Sequence, residues 1–302
     1  MNLEEIKNLS QKIKGKFFFD YSLKKKNWFN IGGNTKIFFK PDSLNELVNY
    51  LKNYSKNQKI IIIGAGSNIL VKDTEFDGTI IKFGKNFSRI SLINQEIIVA
   101  GSATTDKHLA EFAMESGLSG FEFLSCIPGT VGGGIRMNSG CFGSEFKDIL
   151  ISVQAINRFG KIITIPFSKI NFEYRGTDLP NDIIFLSASF KGQRKSKKII
   201  ERKMIELKEK KNKAQPTQLK TGGSTFKNPI GQTNKKVWEL IKDAVPADLH
   251  FGDATISNKH FNFFVNKKDA KYEDMEKLIN YVKQKVKKKS GIDLDLEIKI
   301  IG

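Results

Sequence analysis

The stretch Ile60 to Asp73, IIIIGAGSNILVKD, constrains the fold more than any other part of the chain. Four isoleucines in a row read as a buried strand, and Gly64-Ala65-Gly66 directly after it resembles the opening of a dinucleotide-binding fingerprint. The fingerprint then fails in two places. Ile69 stands where the third glycine belongs, and Ile69 to Asp73 has the composition of a second strand, not of a helix whose N-terminus receives a pyrophosphate. A Rossmann arrangement is therefore disfavoured. What remains is a strand–loop–strand in which consecutive backbone N–H groups and the side chains of Ser67 and Asn68 could cradle a diphosphate. An ordinary hairpin loop is the alternative, since glycine serves turns first.

A second glycine-rich stretch, Ile127 to Gly143 (IPGTVGGGIRMNSGCFG), holds six glycines in seventeen residues. Glycine lets a backbone approach a flat or phosphorylated group closely. No Gly-Lys-Ser/Thr follows, which excludes a Walker loop. Ile127, Val131, Ile135, Met137 and Phe142 make the stretch too apolar for a flexible linker. A sharply bent buried loop without a ligand is the plainer alternative. Two such loops about 65 residues apart, each opening a β-rich block, are harder to explain without one large shared ligand.

Periodicity supplies the frame around these loops. Leu44, Leu47, Val48 and Leu51 form the apolar stripe of a helix over Ser43–Asn53. Strands are expected at 36–39, 60–63, 69–72, 79–83, 97–100, 149–157, 161–166 and 183–190, and a helix near 105–116 stops at Gly117. The first fifteen residues read as a short amphipathic or frayed arm. A Lys-rich helix near 197–211 carries an apolar stripe of Ile200, Met204 and Leu207. Asn212 to Gly223 has loop composition and marks a domain boundary. Met275, Leu278, Ile279, Val282 and Val286 then share one helix face closed by Gly291. Finally, Ile292 to Ile300 alternates apolar and charged residues, the period of a half-buried strand. Helices and strands mix without a repeat, which gives an α+β class.

A formal charge of +18 suggests nucleic acid at first sight, but only six of the fifty basic residues are arginines. Lysine is the weaker choice for bidentate phosphate or guanine contacts. Lys191 to Lys213 alone holds 11 basic and 3 acidic residues, so much of the charge is one solvated cluster. An RNA-binding module remains a competing reading, and it would bind with steep salt dependence and carry no chromophore. No apolar run reaches the ~20 residues of a membrane helix, and the N-terminal segment has Glu4 and Glu5 and no apolar h-region. A cytoplasmic protein is the expectation. Cys126 and Cys141 do not make a disulfide framework, and His108, His250 and His260 lack ligand spacing, so no metal is expected.

Three further residues have bland readings by themselves. Arg175, beside Tyr174 at a strand end, could clamp a carboxylate through its planar fork or lie free on the surface. Ser224 in GGSTFKNP lacks the second flanking glycine of a hydrolase elbow and has no histidine in a triad motif, so turn chemistry accounts for it. Glu297 sits on the polar face of the final alternation.

Taken in order, these pieces resemble one family, the UDP-N-acetylenolpyruvoylglucosamine reductases. The segments that carry the resemblance are Trp28 to Gly33, GAGSNILVKD, GLSGFEFLSCIPGTVGGG with Met137 to Gly140, Phe172 to Arg175, GGSTFKNP, Ser257 to Asn266 and LEIKIIG; they span roughly residues 28 to 302. The resemblance implies a two-part FAD-binding unit of the vanillyl-alcohol-oxidase (PCMH-type) kind, at 1–84 and 85–196, followed by a linker helix and an α+β substrate domain at 197–302. It implies NADPH as reductant of FAD, hydride delivery from flavin N5 to the enolpyruvyl β-carbon of a UDP-sugar, and product destined for peptidoglycan. By the same resemblance Arg175 and Glu297 stabilise the enolate, and Ser224 protonates the α-carbon. Gly64, Ala65, Gly66, Ser67, Asn68 and Ile69 would hold the FAD pyrophosphate. Pro128, Gly129, Thr130, Gly132, Gly133, Asn138 and Gly140 would complete the cofactor site, and Tyr174, Lys227 and Asn228 would meet the substrate.

The resemblance implies no nucleic acid and no membrane insertion, and a monomer. Another flavoprotein of the same superfamily is the nearest competitor, but an oxidase needs no proton donor like Ser224. Departures from the family pattern stand at Cys126, at Ser139-Gly140-Cys141-Phe142, and in Val245 to Asp253, which lacks an expected glycine and basic residue. The chain resembles the compact type of the family, with its substrate lid unassigned.

Overall fold

The structure is a computed structural model that describes residues 7, 10, 11, 15–54, 59–216 and 218–302. The N-terminal arm read over residues 1–15 falls mostly outside them. The chain forms two compact units. Unit 1 comprises residues 1–20, 37–65 and 78–209; unit 2 comprises residues 21–36, 66–77 and 210–302.

Unit 1 is built on sheets with helices against them. A five-stranded antiparallel sheet runs in the order Ile162–Pro166, Leu150–Ile156, Ile184–Lys191, Ile97–Gly101, Ile90–Leu92. Each central strand turns an apolar side inward: Ile98 and Ala100, Val153 and Ala155, and Ala188 and Phe190 are all buried. The helices Asp106–Glu115 and Lys197–Ala214 cover that face with Leu109, Ala110 and Ala113 and with Ile200 and Met204. Thr105 caps the first of these helices by accepting from the His108 N–H. A second core gathers Ile37, Phe39, Ile81 and the stripe of the Leu44–Tyr54 helix, whose Leu47 and Leu51 are buried. Beside them Tyr50 is also buried, and its hydroxyl meets Thr79 at 2.5 Å.

The two strands of the first glycine motif exist, at Lys59–Ile62 and Ile69–Val71. They do not form a hairpin. Lys59–Ile62 pairs in parallel with Gly78–Ile81, whereas Ile69–Val71 pairs in parallel with Lys299–Ile301. The simple-turn alternative therefore fails, because the loop joins strands of two different sheets.

Unit 2 has an antiparallel sheet, His250–Phe251, Ala254–Ser257 and His260–Asn266. Two helices, Val237–Ala244 and Tyr272–Ser290, pack into one core with it. All five stripe residues of the latter helix are buried, and Gly291 ends it at φ 75°, its N–H bonded to Lys287 O. The final alternation is only partly a regular strand. Ile292, Leu294 and Ile298 are buried while Asp293 and Asp295 are exposed, as the period of two requires. The continuous ladder, however, covers only Lys299–Ile301; upstream the extended chain makes the single rung Phe226–Leu296.

Candidate active site

In unit 1 the two glycine motifs meet. A Cβ on Gly64 would run into the Thr130 hydroxyl, so glycine at 64 is what lets the loops touch. Lys82 fixes the same point by donating to Gly64 O at 2.9 Å, which sets a cation beneath the loop. Thr130 and its neighbours are tied to the segment after the Ile97–Gly101 strand: Val131 N–H bonds Thr104 O and Gly132 N–H bonds Ser102 O, each at 2.9 Å, and Thr105 bridges Thr130.

The run Val131–Arg136, expected as part of a glycine-rich loop, is a short helix. Its glycines serve packing more than bending. The Phe146 ring fills the place of a Gly134 side chain, and a Cβ on Gly132 would lie 3.1 Å from the Ser102 Cβ. Gly133 is the exposed member of the three and presents bare backbone. Bare backbone at Gly64 and Gly133, meeting over the Thr130 side chain with the Lys82 ammonium behind it, fits a large flat anionic cofactor.

Beneath Gly129 lies Asp106, the first residue of its helix and wholly buried. Its backbone N–H bonds Gly129 O, while neither carboxyl oxygen has a hydrogen-bond partner, and the neighbouring Ser102 and Thr104 hydroxyls are likewise unpaired. Burial alone pushes this carboxyl well above the usual carboxylate range. Burial thus disfavours its charged form.

Arg175 occupies the second position of a two-residue turn between Phe172–Glu173 and Gly176–Thr177, at φ 60°. Such a backbone costs a non-glycine residue roughly 1–3 kcal/mol. Three contacts hold it there. Its Nη2 donates to Gly140 O at 3.0 Å, its Nη1 lies 3.6 Å from Glu145, and its guanidinium stacks 4.8 Å over the Tyr174 ring. Its side chain keeps 17% of its surface exposed, so the fork is oriented but reachable.

Asn138 and Gly140, both expected at the cofactor, also take part in holding Arg175. Asn138 is fully buried; its amide donates to Glu145 and to Glu173 O, and its carbonyl accepts from the Lys147 N–H. A side chain at Gly140 would collide with Glu145. Both residues thus build the seat of Arg175.

In unit 2, Ser224 to Lys227 is threaded between two extended segments. Ser224 bridges Phe263 and Phe226 bridges Leu296. On one side Thr225 N–H bonds Asn262 O at 2.8 Å; on the other, Glu297 N–H bonds Thr225 O at 2.9 Å and Lys227 N–H bonds Asp295 O at 2.8 Å. One main-chain ladder therefore sets Ser224 and Glu297 on either flank of Thr225. Asn68 extends it, donating to Glu297 O at 3.2 Å and accepting from the Lys299 N–H at 2.9 Å.

Gly66, at φ 74°, packs against the backbone of Lys26 and Asn27 and accepts from the Trp28 N–H. So the Trp28–Gly33 motif buttresses the glycine loop. Lys227 and Glu297 both influence the Lys299 ammonium, whose pKa is lowered chiefly by burial and then by Lys227. Asn228 Oδ1 accepts the Val237 N–H that begins a helix. His260 has its pKa lowered by burial, and its Nδ1 accepts from the Asn262 N–H.

Over 301 residues, all of both chains, the sequence is 60% identical to the UDP-N-acetylenolpyruvoylglucosamine reductase of Pelagibacter ubique (strain HTCC1062). The chain belongs to the UDP-N-acetylenolpyruvoylglucosamine reductase family. The reductase of Rickettsia typhi is 43% identical over 290 residues, covering 96% of this chain and 97% of that one. The model for the reductase C-terminal domain matches residues 215–301, and that for an FAD-binding domain matches residues 35–166. The crystal structure of the reductase from Thermus caldophilus superposes with a TM-score of 0.82 at 28% identity, over 96% of this chain and all of that one. The expected fold, an FAD-binding domain of the PCMH type with the reductase C-terminal domain, is therefore the fold of this chain.

Several residues that shape the site gave no sequence signal. Glu145 and Lys82 are single charges in mixed sequence, and Asn262 is one polar residue inside the apolar run of its strand. Asp106 sits where a helix N-terminus ordinarily takes an exposed acid. Membership of the family removes the RNA-binding alternative. No helix of the described residues is long and apolar enough to cross a membrane, and none of their His, Cys, Asp and Glu side chains cluster as a metal site.

Proposed function

We propose that Arg175, Ser224 and Glu297 carry the chemistry by which this chain, an FAD-dependent UDP-N-acetylenolpyruvoylglucosamine reductase of peptidoglycan synthesis, reduces its enolpyruvyl substrate. FAD, when bound, would supply a hydride for the β-carbon and would be re-reduced by NADPH. The substrate's π pair then resides on the α-carbon and its carboxylate, an enolate whose charge must be met. Arg175 supplies a permanent cation with a planar fork, already oriented by Gly140 and Glu145. Ser224 Oγ gives its proton to the α-carbon and is reprotonated from solvent, so that one hydride and one proton add across the double bond. A serine is a weak acid, which suits a strongly basic carbanion. Glu297 orders the carboxylate side of this enolate by hydrogen bonding.

The observation that carries the assignment is the ladder Asn262–Thr225–Glu297, which flanks Thr225 with the proposed proton donor and the proposed carboxylate. Gly64 to Ile69 with Pro128 to Gly133 hold the cofactor, while Tyr174, Lys227 and Asn228 receive the UDP-sugar. We place the protein in the cytoplasm as a monomer, divided at 1–84, 85–196 and 197–302. The test is anaerobic. Ser224→Ala should bind FAD and bleach with NADPH at the wild-type rate, then fail to reoxidise with UDP-N-acetylglucosamine enolpyruvate. Reoxidation at near the wild-type rate would remove Ser224 from the role.

A further inference from the structure

Ser224 is preceded by Gly222 and Gly223. Gly223 has φ 79° and no atom within 4 Å of where a side chain would stand. The chain thus enters Ser224 from a permissive glycine, and what fixes the serine is its own bridge to Phe263 and the residues after it. The Thr225 hydroxyl takes no part: it is buried and makes no hydrogen bond. Phe226 anchors its ring in the core, but a ring in an apolar core fixes position better than rotation about the strand axis.

One side chain takes up what is left. Asn262, 2% exposed on the strand His260–Asn266, donates from Nδ2 to Phe226 O at 2.8 Å and accepts the Phe226 N–H on Oδ1 at 2.9 Å. Its own main-chain carbonyl takes the Thr225 N–H. A single amide thereby satisfies both polar groups of one peptide residue, as a neighbouring strand would, where the true strand pairing has shrunk to the Ser224–Phe263 bridge. Across the same peptide run, Thr225 O receives the Glu297 N–H.

We infer that Asn262 is a positioning residue for the reduction step, fixing the rotation of the Ser224–Phe226 segment and, through Thr225, the distance between Ser224 and Glu297. Its amide is spent on the Phe226 main chain, so it acts through that segment. The role rests on the assignment of Ser224 as proton donor, and the experiment separates the two.

Asn262→Ala and Asn262→Asp are measured in the two anaerobic half-reactions, alongside Ser224→Ala and the Ser224→Ala/Asn262→Ala double variant. Flavin reduction by NADPH should stay within about twofold of wild type in Asn262→Ala, while substrate-driven reoxidation falls roughly 10²-fold, the scale expected of misplacement by about an ångström. The solvent deuterium isotope effect on reoxidation should rise as proton transfer becomes limiting. In the double variant the loss should equal that of Ser224→Ala alone, because both changes act through one proton. Hydrogen exchange should show loss of protection confined to the Thr225 and Phe226 amides.

Asn262→Asp supplies the conservative arm. Protonated, its carboxyl can accept from Phe226 N–H and donate to Phe226 O; ionised, it cannot donate. Its reoxidation rate relative to wild type should therefore recover as pH falls. His260 on the same strand and Glu297 and Lys227 on the neighbouring segments are the same in both proteins, so the ratio removes their contribution. If Ser224→Ala collapses while Asn262→Ala reoxidises normally, the positioning role is wrong and the proton donor stands. If Ser224→Ala itself turns over, the proton-donor assignment fails instead. Equal slowing of both half-reactions with loss of flavin from Asn262→Ala, and no low-pH recovery in Asn262→Asp, would reduce Asn262 to a folding residue and overturn the proposal.

Discussion

Arg175 sits at the tip of a two-residue turn in a strained backbone, held from outside by Gly140, Glu145 and the Tyr174 ring. Ser224 and Glu297 instead lie within a run of main-chain rungs that join their backbone to the neighbouring segments. The difference follows from what each must deliver. A guanidinium has to present a rigid fork at the end of a long flexible stem, so it needs contacts along that stem. A serine hydroxyl is one bond from its Cβ, and placing the backbone places the oxygen. Side-chain seats fail when one partner is cut; ladders fail when a rung is lost.

The largest expected effect is on the ladder side. Ser224→Ala should lower substrate-driven reoxidation by about 10²–10⁴-fold, with flavin content unchanged in the absorbance spectrum. On the seat side, Arg175→Lys keeps the charge but loses the fork and the bond to Gly140 O. A drop in kcat of roughly 10²-fold is expected, and a lysine variant at full rate would show that charge alone suffices.

Glu145→Gln should be milder, about tenfold in kcat, because Asn138 can still bond the amide while the ion pair to Arg175 is gone. Steady-state kinetics with saturating NADPH would measure it. A loss equal to that of Arg175→Lys would mean that Glu145 meets the substrate itself.

The smallest effect concerns the buried acid beneath Gly129. Folding raises the Asp106 pKa above 3.8 through burial. Below 3.8 both states hold the proton and nothing is lost; as pH climbs through the window above it the unfolded chain ionises first, and folding weakens until the native pKa is passed. Each unit of such a shift corresponds to ~1.4 kcal/mol. Asp106→Asn should flatten the fall of Tm with rising pH across this window, and an unchanged slope would show that the carboxyl is not buried in solution.

The apolar patterns were legible because they report burial directly. The stripes of the Leu44–Tyr54 and Tyr272–Ser290 helices and the failure of the third glycine at Ile69 all translated into structure. The Val131–Arg136 helix did not, because three consecutive glycines argue against a helix by propensity, and only the Phe146 ring lying where a Gly134 side chain would stand explains them. The terminal alternation named the right faces but overstated the ladder, since among the described residues Ile292 to Ile298 pairs as strand only at the isolated bridge Phe226–Leu296 and the main-chain bonds of Asp295 and Glu297 beside it. Arg175, Ser224 and Glu297 were visible only as members of an ordered set of motifs. Their partners Glu145 and Asn262 were invisible, because a hydrogen bond between distant residues leaves no period in the sequence.

The Ile69–Val71 strand pairs with Lys299–Ile301, and Asn68 reaches Glu297 over 229 positions of sequence. On a ribosome adding ~5–20 residues per second, Asn68 emerges on the order of 10–50 s before its partner has been made. For that interval Ile69, Leu70 and Val71 form an apolar edge with open backbone groups, the kind of segment that recruits stray strands. A chaperone that shields short apolar stretches would matter more to the birth of this enzyme than its finished stability suggests.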